Sequence, residues 1–139
     1  MRAAHRLGAQ LSGTSYRAHL ADRQAPCSET DPEVFFPELQ SQRPLALLAG
    51  EEEPLAICGT CPLVDQVDCL RRALRVERWE QDGVSGGLTR AQRVYLQRDR
   101  SKDKDPDAVR RTDEALPAQI AAQLGVPPAH AEELLARVA

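Results

Sequence analysis

The chain has 139 residues, with 18 Lys and Arg against 21 Asp and Glu and a formal net charge of −3. That balance argues against a strong non-specific nucleic-acid surface over the whole chain, and the length fits one small domain with tails. One Trp, two Tyr and two Phe leave a core made mostly of Ala, Leu and Val, so a staple of disulfides, metal or a partner is expected.

Residues 1–22 are polar and small and read as a flexible N-terminus. They lack the apolar run of a secretory signal, and nothing in the chain approaches the roughly 18 apolar residues of a membrane span. A cytoplasmic protein without a membrane contact is expected, and structural disulfides are rare in that compartment. His5, His19 and His130 read as solvated side chains rather than ligands.

Cys27 opens a turn-like segment, C27-S-E-T-D-P-E-V-F-F-P37, broken at Asp31-Pro32 and Phe36-Pro37. Residues 44–49 read as a helix start that Gly50 ends, and Pro54 as the opening of a second short helix leading to Cys58. Cys58 and Cys61 form a Cys-x-x-Cys knuckle, and seven residues separate Cys61 from Cys69. A continuous helix would place those two about 12 Å apart along its axis. Residues 62–68 are therefore read as a loop, with a helix from about Val67 whose apolar face carries Val67, Leu70 and Leu74. Gly83, Gly86 and Gly87 mark a turn. Thr89 and Gln92 form a capping box for a helix that fades near Arg98.

Between Arg90 and Arg111, eight basic residues face four acidic ones, a local excess of +4. Arg90, Arg93, Arg98, Arg100, Lys102 and Lys104 are the candidate nucleic-acid contacts, against the alternative of a mixed solvated stretch. Residues 99–114 read as a charged linker and 115–139 as a helical extension, with Pro117 at a helix start, Gly125 at a helix end and Pro128 opening a second helix. A hairpin packed on the domain, or a partner-binding tail, fits this extension better than half of a helix-turn-helix.

The cysteines carry the chemistry. Four thiolates can hold an iron–sulfur cluster or zinc, or pair as disulfides, and the compartment disfavours the last. Zinc usually takes two Cys-x-x-Cys knuckles. Here one knuckle is flanked by single cysteines, with thirty residues between Cys27 and Cys58, a spacing more typical of iron–sulfur sites. Zinc stays open as an alternative, as does a thiol–disulfide reductase using Cys58 and Cys61, although the βαβ frame of such enzymes is missing.

Four blocks, C27-S-E-T-D-P-E-V-F-F-P37, A56-I-C-G-T-C-P62, C69-L-R-R-A-L74 and G83-V-S-G-G-L-T-R90, together resemble the WhiB-like transcription regulators. The resemblance covers about half the chain, from Cys27 to Tyr95. It implies a mainly α fold, a small helical domain over residues 23–98 organised around a [4Fe-4S] cluster on Cys27, Cys58, Cys61 and Cys69. It also implies transcription control through a redox- and nitric-oxide-sensitive cluster, with no enzymatic activity and no small-molecule substrate. The expected partner is the C-terminal domain of the principal sigma factor, contacted through Phe35, Phe36 and Pro37, with DNA as a second partner. Three features depart from the family pattern. Seven residues rather than five precede the last cysteine, Ser85 stands where the glycine turn normally holds a tryptophan, and the region before Cys58 is acidic and broken by Gly50 and Pro54.

Overall fold

The computed structural model describes residues 26–139; the segment 1–22, with His5, Tyr16 and His19, lies outside them. Among the described residues the architecture is helical, with no strand. Five α-helices follow in order: α1 Ala49–Gly59, α2 Leu63–Ala73, α3 Arg90–Gln97, α4 Pro106–Leu124 and α5 Pro128–Val138. Short 3-10 turns at Pro26–Glu29, Pro32–Phe35, Arg78–Glu80 and Arg100–Lys102 join them.

Among the described residues, the buried side chains gather in one core. It gathers Leu55 from α1, Val67 and Leu70 from α2, Val84 and Leu88 from the glycine turn and Tyr95 from α3. The C-terminal helices add Leu116, Ile120 and Leu124 from α4 and Ala131 and Leu134 from α5. Each leucine or isoleucine so buried contributes about 1.5–3 kcal/mol. The extension is thus part of the core: α4 and α5 pack as a hairpin, α4 against α1 and α5 against α2.

The hairpin's local chemistry is as expected at Gly125 and Pro128. Gly125 takes a left-handed φ of 71° and ends α4, and Pro128 opens α5. Pro117, by contrast, lies inside α4, which begins at Pro106 with the Asp105 side chain accepting from the Ala108 N–H. The first half of the helix therefore occupies residues 106–114, which read as linker in the sequence.

Two other boundaries differ from the sequence reading. Gly50 lies in the first turn of α1 and Pro54 inside it. The helix starts early because Glu51, only 1% exposed, reaches back to the Leu48 N–H at 2.9 Å with one carboxylate oxygen. Its other oxygen accepts from the Ser41 N–H and hydroxyl at 3.1 and 3.2 Å. Pro54 cannot donate to the Gly50 carbonyl, and that residue is exposed, where water can serve it. Helix α2 starts at Leu63, so residues 63–68 are helix and not loop. The rise argument counts backbone only, whereas side chains on a helix lean toward its N-terminus, which brings the Cys69 sulfur back toward Cys61.

Candidate functional site

Each cysteine is set by a separate local device. Cys27 lies in the turn Pro26–Glu29, Cys58 in the last turn of α1, and Cys69 in the second half of α2. Cys61 falls between the helices, where its N–H donates to the Cys58 carbonyl at 3.0 Å and Pro62 is the N-cap of α2. All four are half-buried and none is in a disulfide.

The four thiols act on one another. Burial pushes the Cys27 thiol up to about 12, and the nearby Cys69 and Cys61 sulfurs push in the same direction. Burial raises Cys58 further, with Cys69 next in weight, while a hydrogen bond from the Gly87 backbone opposes the rise. Among the described residues, no three His, Cys, Asp or Glu side chains are grouped to hold a metal ion. The donor set is four half-buried thiols that act on one another electrostatically, carried by a turn, two helices and the knuckle between them.

The glycine turn closes one side of this set. Gly83, Gly86 and Gly87 have φ of 68°, 63° and 86°, and Ser85 and Leu88 exchange both backbone hydrogen bonds at 3.1 Å. A Cβ on Gly86 would run into the Leu70 backbone, so the turn sits directly on α2 beside Cys69. The Ser85 hydroxyl lies 3.8 Å from the Cys69 sulfur. Phe35 and Phe36 bind the same turn: the Val84 N–H donates to the Phe35 carbonyl at 2.8 Å, and a Cβ on Gly83 would strike that carbonyl and the Phe36 ring. Pro37 follows them, its carbonyl accepting from the Gln40 amide at 3.3 Å. Phe35, Phe36 and Pro37 are half-buried.

Sequence reasoning missed the residues that link the knuckle to the hairpin. The Gln66 amide donates to the Cys58 carbonyl at 2.6 Å, and its oxygen lies 2.6 Å from His130 Nε2. His130 is therefore a half-buried contact of α5 with α2, not a solvated histidine. Gln123 and Gln92 exchange amide hydrogen bonds at 2.9 and 2.8 Å, and Gln123 also donates to the Gly87 carbonyl at 3.1 Å. The only signal of these contacts in the sequence is a polar residue at an apolar helical position.

The basic candidates divide. Arg93 is 1% exposed. Its guanidinium donates to Gln81 Oε1 and to the Leu88, Asp82 and Gly83 carbonyls at 2.7–2.9 Å, so it holds the glycine turn rather than facing solvent. Arg98 pairs with Asp103. Arg100 lies 3.4 Å from Asp113 and donates to the Tyr95 carbonyl at 3.2 Å, and both arginines stack on the Tyr95 ring. Arg90 donates to Gln42 at 3.2 Å. Lys102, 3.8 Å from Asp99, and Lys104 are exposed.

The family described as "Transcription factor WhiB" matches residues 22–96. Among curated proteins, "Transcriptional regulator WhiB1" of Mycobacterium tuberculosis, in strains CDC 1551 / Oshkosh and H37Rv, is 33% identical over 81 residues, 58% of this chain and 88% of the relative. "Transcriptional regulator WhiB1" of Bifidobacterium longum (strain NCC 2705) is 37% identical over 75 residues, 54% of this chain and 74% of the relative. No solved structure matches. The matched segment holds all four cysteines and the glycine turn, while α4 and α5 lie beyond it.

Proposed function

The chain belongs to the WhiB family of transcription factors, and from that premise we propose that it is a cytoplasmic, non-enzymatic regulator whose Cys27, Cys58, Cys61 and Cys69 hold one [4Fe-4S] cluster. The observation that carries this reading is that four half-buried cysteines, none in a disulfide, come from the Pro26–Glu29 turn, α1, the knuckle and α2 and act on one another electrostatically. One Cys-x-x-Cys knuckle flanked by two single cysteines, rather than two knuckles, favours a cluster over one zinc ion. Among the described residues there is no strand, so the βαβ frame that normally surrounds a redox Cys-x-x-Cys is missing, which disfavours a thiol–disulfide reductase.

When bound, the cluster supplies a centre that reacts with oxidants and nitric oxide. The protein's part is to bind and shield it. Four deprotonated sulfurs would hold it, Phe35, Cys58 and Leu63 each pack against the apolar core, and Gln66 fixes the Cys58 carbonyl. Without a shared ligand, the thiols cease to cross-link the Pro26–Glu29 turn, α1 and α2, and a lightly cored domain loosens. The chemical signal thereby becomes a change in folding.

Phe35, Phe36 and Pro37, tied to the glycine turn, form the proposed contact for the C-terminal domain of the principal sigma factor. Aromatic residues supply interface anchors of this kind. Lys102 and Lys104 are the basic side chains best exposed for DNA, with Arg90, Arg98 and Arg100 already engaged within the fold. No helix among the described residues is long and apolar enough to cross a membrane, and no small-molecule substrate is proposed.

Anaerobic purification with iron and sulfide analysis tests the reading. The expected result is a brown protein absorbing near ~410 nm, as thiolate-bound clusters do, that captures the sigma domain. A folded, colourless protein with one zinc and no sulfide overturns it in favour of a structural zinc module. Insulin reduction abolished by Cys58→Ser would instead point to the reductase.

A further inference from the structure

We infer that Ser85 is a positioning and tuning residue of the cysteine site, its hydroxyl donating a hydrogen bond to the Cys69 sulfur when that sulfur is bound as a thiolate. This rests on the cluster reading above and goes beyond it by assigning a residue that contributes no ligand atom.

The geometry is specific to this side chain. Ser85 Oγ lies 3.8 Å from Cys69 Sγ, and the residue is only 7% exposed. A buried hydroxyl without a partner is costly, and Cys69 is the partner the fold provides. The serine backbone is held at both ends by its paired bonds with Leu88, and Gly86 presses the turn onto the Leu70 backbone, one residue from Cys69. The backbone that carries the hydroxyl is thereby fixed beside Cys69, and only rotation about the Cα–Cβ bond is left to the side chain. Between two protonated groups either atom can donate. A metal-bound thiolate has no proton, so only the hydroxyl can. Hydrogen bonds to ligand sulfurs are among the factors that set cluster potentials. A donor stabilises the sulfur more when the cluster carries the extra electron, so this contact raises the potential.

The test uses the full chain, loaded anaerobically, as wild type, Ser85→Ala and Ser85→Thr. The midpoint potential is followed by EPR-monitored titration, and the H2O-to-D2O shift of the Fe–S(Cys) Raman bands reports the hydrogen bond itself. Expected are a more negative potential and a smaller isotope shift in Ser85→Ala, both restored in Ser85→Thr. Ser85→Ala matching wild type in both readouts at equal iron content overturns the assignment and leaves the cluster intact as a finding. If Ser85→Ala fails to load, wild-type values in Ser85→Thr support the assignment, and failure or altered values there overturn it. A wild-type protein without iron and sulfide overturns the cluster reading itself, and that result is seen before any variant is compared.

Discussion

Gly59 packs so closely on Leu124 that a Cβ at Gly59 would run into the Leu124 carbonyl oxygen. The glycine inside the Cys-x-x-Cys knuckle is thus the floor on which the end of α4 rests. Because the obstacle is backbone, it cannot yield by rotamer change. Gly59→Ala is expected to cost about 1–3 kcal/mol, the usual range for overpacking. Thermal melts of wild type and variant, with limited proteolysis of the 125–128 connection, check it; an unchanged melting temperature counts against tight docking.

Arg93 gives a larger effect. Replacing it by Met keeps the stem but leaves Gln81 Oε1 and three carbonyls without their donor. Each stranded buried acceptor costs about 1–3 kcal/mol, so Arg93→Met should lose about 3 kcal/mol or more in urea denaturation. Arg93→Lys should rescue little, because an ammonium lacks the planar fork that reaches several acceptors at once. Nucleic-acid affinity per folded molecule should not change.

Tyr95 makes stability sensitive to alkali. Its hydroxyl donates to Asp113 Oδ1 at 2.7 Å, tying α3 to α4. Burial, then the Asp113 hydrogen bond and charge, push its pKa from 10.0 to about 12. The folded state therefore keeps the proton longer than the unfolded chain. The stabilisation is fully present below about pH 10 and is lost as pH rises toward 12. Tyr95→Phe should flatten that alkaline limb, and its difference spectrum against wild type near 295 nm should show the missing late ionisation.

Leu134, fully buried in α5, reports how far the hairpin supports the cysteine helices. Leu134→Ala should destabilise by about 2–5 kcal/mol. Since α5 packs on α2, hydrogen exchange should quicken in α2 around Cys69 as well as in α5. Faster exchange confined to α5 would show that the hairpin can loosen alone.

What the sequence made legible was local. The Thr89 and Gln92 capping box, with bonds of 3.2 and 2.9 Å, the left-handed glycines, and the Gly125 and Pro128 boundaries depend on neighbours a few residues away. The cysteines stood out because thiol spacing carries chemistry directly, and the fold brings them into electrostatic contact. The rest depended on distant partners. Glu51 extends α1 across Gly50 and Pro54 only because Ser41 comes back to meet it. Arg93 is buried only because a turn ten residues upstream collects its carbonyls around one guanidinium. Leu116, Ile120 and Leu124 show that α4 has an apolar face, but periodicity does not reveal that α1 and the knuckle cover it.

The docked hairpin also puts the steps of biogenesis in order. Leu134 is made 65 residues after Cys69, an interval of roughly 3–13 s at ~5–20 residues per second. During that time the last thiol has been made but α5, which will pack on its helix, has not. On the proposed cluster reading, this is an interval in which all four thiols exist and the hairpin has not yet docked. On the same reading a mature chain meets the opposite situation, because its cysteines would be reloaded with the hairpin already in place.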